Sequence, residues 1–190
     1  MAQVSIVFFS GYGHTKVQAE AVADGAKLVE GTDVHVFQID EDGNWADDMF
    51  DKLTASDAII YGSPTYMGGP AWQFKKFADA SSKLWFEQKL KDKLAAGFTI
   101  SASTIGDKPE TLNYFFTLSQ QHSQIWIGTG LMPNNDSKAT RDDANWIGSF
   151  SGATAIARSD LPPEEMPNAG DIELAKALGE RVASWAKKLG

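Results

Sequence analysis

The chain has 190 residues, one ordinary domain length, and its net charge of −8 comes from 17 Lys and Arg against 25 Asp and Glu. An acidic chain without clustered basic residues repels nucleic-acid backbones and anionic lipid, while 43% hydrophobic residues, with eleven Phe and six Trp, exclude disorder. The lack of cysteine excludes disulfides, thiolate metal sites and cysteine nucleophiles, so any redox chemistry must come from a bound cofactor.

Val4 to Phe9 is a short apolar, β-branched and aromatic run that stops at Ser10-Gly11-Tyr12-Gly13, the pattern of a buried strand ending in a turn. From Thr15 to Val29 the apolar residues recur at spacings near three and four, which predicts a helix stopped at Gly31. A second strand is expected over Val34 to Ile39, a second helix over Trp45 to Leu53 and a third strand over Asp57 to Tyr61, closed by Gly62-Ser63-Pro64. Beyond Gly69, the pattern gives a helix over Ala71 to Ser82, a strand over Leu94 to Ile100, a helix over Glu110 to Gln121 and a fifth strand over Gln124 to Gly128. Asp171 to Leu189 is a closing helix with Leu174, Leu178, Val182, Trp185 and Leu189 on one face.

The remaining stretch, residues 129–167, is a long loop of weak periodicity, broken only by the apolar piece Ala153 to Ala157. Loops of this length inside compact domains carry function or contacts between subunits. Alternation of buried strands with amphipathic helices predicts a single α/β domain over 1–190, a doubly wound five-stranded parallel sheet in three α/β/α layers. The opening Met1-Ala2-Gln3 has no basic leader, and Val4 to Phe9 is too short for a signal or a membrane span, so a cytoplasmic protein is expected.

In such a sheet, ligands bind beyond the carboxyl ends of the strands. The first turn, Ser10 to Thr15, places small and hydroxyl residues at the amino end of a helix, where free backbone N–H groups and the helix dipole attract an anion. It holds no Lys or Arg, so a phosphate there is expected to sit on amides and the hydroxyls of Ser10 and Thr15; a plain hydrophilic N-cap is the alternative. A G-x-G-x-x-G fingerprint fails because position 16 is Lys16, and a P-loop fails because its second glycine is missing at that same position. Gly148-Ser149-Phe150-Ser151-Gly152 has Phe150 where a hydrolase elbow needs its serine. The turns after strands three and four are rich in Gly, Pro and hydroxyl residues, suited to press main chain against the edges of a flat ring.

Together these three turns resemble the flavodoxin-like FMN proteins, and within them the WrbA-type NAD(P)H:quinone oxidoreductases. Ser10, Gly11, Tyr12, Gly13, His14 and Thr15 resemble the phosphate loop of that family. The segment Gly62-Ser63-Pro64-Thr65-Tyr66-Met67-Gly68 resembles its isoalloxazine loop, and Ser101, Ala102, Ser103, Thr104, Ile105 and Gly106 its third loop. Gly152 to Ala157, leading into the helix at Glu173-Leu174-Ala175, is similar too. Departures are a short stretch over Ile39 to Ser56, Tyr66 in place of the usual Arg, and fewer glycines in the third loop.

The resemblance implies bound FMN, NAD(P)H as reductant and a quinone or similar small acceptor, with hydride transfer in a two-electron ping-pong scheme. It places His122 over the flavin, where a solvated helix-end histidine is the alternative reading, and assigns His122 or Tyr12 to hydrogen-bond the quinone oxygen. It places Trp85 in the nicotinamide or quinone pocket and implies a homodimer or homotetramer. A flavodoxin-type one-electron carrier with little NAD(P)H activity is the competing reading.

Overall fold

The computed structural model describes residues 1–190. In chain order it contains β1 (Ala2–Phe9), α1 (His14–Lys27), β2 (Thr32–Ile39), α2 (Met49–Ala55), β3 (Ala58–Tyr66), β4 (Gly69–Pro70), α3 (Trp72–Ala80), α4 (Ser82–Phe86), β5 (Leu94–Ser101), α5 (Lys108–Gln121), β6 (Ile125–Trp126), β7 (Ala153–Ile156) and α6 (Ala169–Leu189). The strands run in the order β2-β1-β3-β5-β6, parallel throughout, with β7 also pairing β5 and the short β4 pairing β3 antiparallel. This is the doubly wound five-stranded parallel sheet that the alternating pattern predicts.

Apolar runs such as Val4 to Phe9 are continuous because both faces of the sheet are covered. Alternate side chains then part: Val4, Ile6 and Phe8 pack with Ile60 of β3 against α1 and α6, while Val7 and Phe9 join Phe74, Phe77 and Phe115 from α3 and α5 on the other face. Each such side chain, once fully buried, contributes roughly 1.5–3 kcal/mol.

Two predicted elements are corrected by tertiary pairing. The fifth strand is not a single run over Gln124 to Gly128. Ile125 and Trp126 pair with Leu94 and Ala95, the chain then leaves the sheet, and Ala153 to Ile156 return to pair with Phe98 to Ser101. The apolar piece inside the predicted loop is thus the second half of that strand, and residues 127–152 are an excursion inserted into it. The third strand, in turn, does not stop at Tyr61 but runs through Tyr66 into a tight hairpin with β4, turned at Met67 and Gly68, both at positive φ. Helix boundaries also differ: α2 starts at Met49 rather than Trp45, and the helix expected over Ala71 to Ser82 divides into α3 and α4. No helix is long and apolar enough to cross a membrane.

Candidate functional site

The loop after β1 rises directly into α1. Gly13 sits at φ +90, which side-chain-bearing residues rarely adopt, and a Cβ there would fall 2.6 Å from Pro163 Cγ. Ser10 Oγ accepts the Lys16 N–H at 3.1 Å, which ties this hydroxyl to the helix start while leaving its own proton to donate. The amides of Gly11, Tyr12, Gly13, His14 and Thr15 donate to no carbonyl of the chain. Five free donors at the positive end of a fourteen-residue helix form an anion cradle.

A second wall comes from the end of β3. Its hairpin is held by a directed chain of hydroxyls. Thr99 Oγ1 donates to the Ser63 carbonyl at 2.7 Å, so Thr65 donates to Thr99 at 2.9 Å and Thr111 donates to Thr65 at 2.7 Å. Ser63 Oγ accepts the Ala71 N–H at 2.9 Å and closes the hairpin base. The Thr65 hydroxyl is therefore consumed in anchoring, the Pro64 carbonyl accepts the Ser63 hydroxyl at 2.9 Å, and what this strand turns towards a ligand is the rigid Pro64–Thr65 edge. Tyr66 reaches back from the hairpin over the first loop, where a Cβ on Gly11 would lie 2.5 Å from its hydroxyl, and meets Tyr12 edge to face at 6.2 Å. Burial, then the neighbouring Tyr12, raises the Tyr66 pKa.

These walls enclose a cavity of about 590 Å³. Among the predicted residues, Tyr12, His14, Thr15, Pro64, Thr65, Tyr66, Ser101 and Ala102 line it. Ser10, Gly11 and Gly13 supply the loop backbone beneath. Met67, Gly68 and Ser103 to Gly106 lie outside the lining, Met67 and Ile105 projecting into solvent.

His122 and Trp85 stand elsewhere. His122 precedes β6 and, at 3% exposure, hydrogen-bonds Ser81 at the far end of α3 at 2.9 Å. Because Ser81 Oγ donates to the Ala78 carbonyl, the His122 Nε2 is the donor, and its Nδ1 is buried with no partner. Both His122 and Trp85, on α4, belong to the amino edge of the sheet. The eight-residue β5 puts that edge roughly 25 Å from the cavity. The placement of these two side chains against the flavin within one chain is corrected accordingly.

The residue missed in the sequence is Arg158. It is the one Lys or Arg in the cavity lining, and its side chain makes no ion pair or hydrogen bond. Its backbone is fixed on both sides: the Ala157 N–H donates to Ser101 O at 3.0 Å, and the Leu161 N–H to Arg158 O at 3.2 Å. The same segment straps the first loop, since His14 Nε2 donates to Leu161 O at 2.9 Å and Pro163 covers Gly13. Reading Ala153 to Ala157 as a strand would have put Arg158 at a strand's carboxyl end, and the expectation of a site without a cation is revised.

A phosphate on the free amides, with a flat ring between the hairpin and Ser101–Ala102, is what this donor set fits, and FMN has that shape. Residues 6–111 match the family model described as NADPH-dependent FMN reductase. The chain is 42% identical over 189 residues to "Flavodoxin FldP" of Pseudomonas aeruginosa, covering 100% of this chain and 99% of that one. It is 31% identical over 204 residues to an "NAD(P)H dehydrogenase (quinone)" of Chromohalobacter salexigens, with 100% and 99% covered. The solved structure of a WrbA-like flavodoxin from Agrobacterium tumefaciens superposes with a TM-score of 0.79 at 42% identity, covering 99% of both chains. The chain belongs to the flavodoxin-like, WrbA-type family of FMN-dependent oxidoreductases.

Proposed function

We propose that the protein is an NAD(P)H:quinone oxidoreductase that uses FMN to pass two electrons in ping-pong order. The observation that carries this reading is the open aromatic mouth of the cavity: Tyr12 is 78% exposed and Tyr66 38%, edge to face at 6.2 Å in the cavity lining. A planar nicotinamide or quinone has an aromatic platform there, and the two occupy it in turn. Bound FMN supplies the hydride acceptance and electron release. The chain's own groups do the rest. The amides of residues 11–15 and Arg158 hold the phosphate, and the rigid Pro64–Thr65 edge with Ser101 and Ala102 fixes the ring. The Tyr12 hydroxyl donates a hydrogen bond to the acceptor oxygen as charge builds on it.

The one-electron carrier is favoured by a specific observation as well. With His122 at the opposite edge, the groups at the mouth that could exchange a proton are its two tyrosines and His14, whose Nε2 is held by the Leu161 carbonyl. Steady oxidation of NADH or NADPH that depends on added benzoquinone supports the oxidoreductase; negligible turnover, with two separate one-electron steps in a reductive titration, supports the carrier. The homodimer or homotetramer rests on family likeness, and sedimentation of the flavin-loaded protein tests it.

A further inference from the structure

Lys108 breaks two local rules at once. It occupies the first position of α5, where the helix dipole opposes a cation, and it is 1% exposed, stripped of the water that an ammonium ordinarily keeps. Its Nζ compensates by donating to Ser101 Oγ at 3.0 Å, Ser103 O at 2.7 Å and Thr104 O at 2.8 Å. The three acceptors are the last residue of β5 and two residues of the loop after it, and Ser101 and Ala102 of this segment line the cavity. The loop closes around this point: Gly106, at φ +50, lies so near Ser101 Oγ that a Cβ would collide with it. An ammonium has three protons and here all three are used, whereas a neutral amine has only two to give.

We propose that Lys108 is the positioning residue of the flavin's third loop, its ammonium folding residues 101–104 into the form that binds FMN. The inference rests on flavin binding alone and is independent of which acceptor the protein serves. Because desolvation lowers the Lys108 pKa to about 8, the third proton is lost just above neutrality. The charged groups facing it are Asp171 from α6, which favours its charge, and Arg141 from the excursion, which opposes it; burial raises the Asp171 pKa in turn. A bound anion favours the charged form of Lys108, so flavin affinity is full below about pH 8 and declines above it.

The experiment is titration of apoprotein with FMN by flavin fluorescence from pH 7 to 9, for the parent, Lys108→Met and Lys108→Arg. The parent should lose severalfold in affinity across the range. Lys108→Met should bind at least tenfold more weakly at pH 7, with a flat profile. Lys108→Arg, charged throughout, should recover part of the affinity and also be flat. A parent profile without decline, or a Met variant with parental affinity and profile, overturns the proposal, and the parent measurement decides the matter even if a variant does not fold.

Discussion

Arg158 and His122 are single residues whose surroundings set their roles. Arg158, exposed and with an unpaired guanidinium, lines a cavity whose amides already favour an anion. A hydrogen bond to a charged group contributes about 1.5–3 kcal/mol, and 1.4 kcal/mol is tenfold in affinity. Arg158→Gln should therefore weaken FMN about tenfold or more while riboflavin, which lacks the phosphate, binds as before; equal effects on both ligands would move Arg158 away from the phosphate. His122 gives a pH signature of its own. Burial holds its pKa below the usual 6.5, so below that pH the unfolded chain takes a proton that the folded chain refuses. Stability is therefore present above about pH 6.5 and lost as pH falls below it. The melting temperature should drop between pH 7.5 and 5.5, and His122→Gln should show a smaller drop; equal drops would refute the assignment. Neither role was legible in sequence: Arg158 lies far along the chain from the loop it serves, and the resemblance placed His122 by alignment, not by which end of a strand it precedes.

Element boundaries obey pairing more than local pattern. The five-strand alternation was legible because continuous apolar runs and 3.6-residue helical faces are local properties of the chain. The continuation of β3 through Pro64 was not, since Gly62-Ser63-Pro64 carries turn composition; the strand persists because Gly62, Ser63 and Pro64 still pair with Phe98, Thr99 and Ile100. The hairpin at its end is stabilised by the Thr111, Thr65, Thr99 hydroxyl chain. Thr65→Val keeps the shape but leaves the buried Thr111 donor without an acceptor, which costs about 1–3 kcal/mol. For a chain of this size that lowers the melting temperature by roughly 2–4 °C per kcal/mol. Urea unfolding of the apoprotein should show the loss in midpoint, and a variant as stable as its parent would mean that the hydroxyl chain contributes nothing. The first half of the fifth strand was legible within Gln124 to Gly128, but the second was hidden for another reason: Ala153 to Ile156 is too short to stand out from a loop, and only β5 beside it makes it a strand.

At the scale of the whole molecule, residues 127–152 are an appendage to a complete flavodoxin-like sheet. Their two ends meet at the base, where the Thr129 N–H donates to Phe150 O at 2.9 Å and the Thr129 hydroxyl to Ser149 O at 3.0 Å. None of the cavity lining comes from them. Their strongest tie to the body is Arg141, which donates to Asp171 Oδ2 at 2.6 Å; that carboxylate, buried in the first turn of α6, also accepts the Ile156 N–H at 2.9 Å and so holds β7 in place. Replacing residues 130–149 with Asn-Gly, a link suited to a tight reversal, should leave the sheet closed and FMN binding intact. It should nonetheless destabilise the protein, by up to about 3–5 kcal/mol, because the buried Asp171 loses its hydrogen-bonded partner and keeps only the field of the Lys108 ammonium. Asp171→Asn separates this from any loss of packing. In the shortened chain the amide oxygen still accepts from Ile156 and the buried charge is gone, so stability should recover. In the full chain the same substitution orphans Arg141 and should destabilise. A double-mutant cycle by urea unfolding reads that reversal of sign; if Asp171→Asn has the same effect in both backgrounds, the excursion is not coupled to the sheet through this pair.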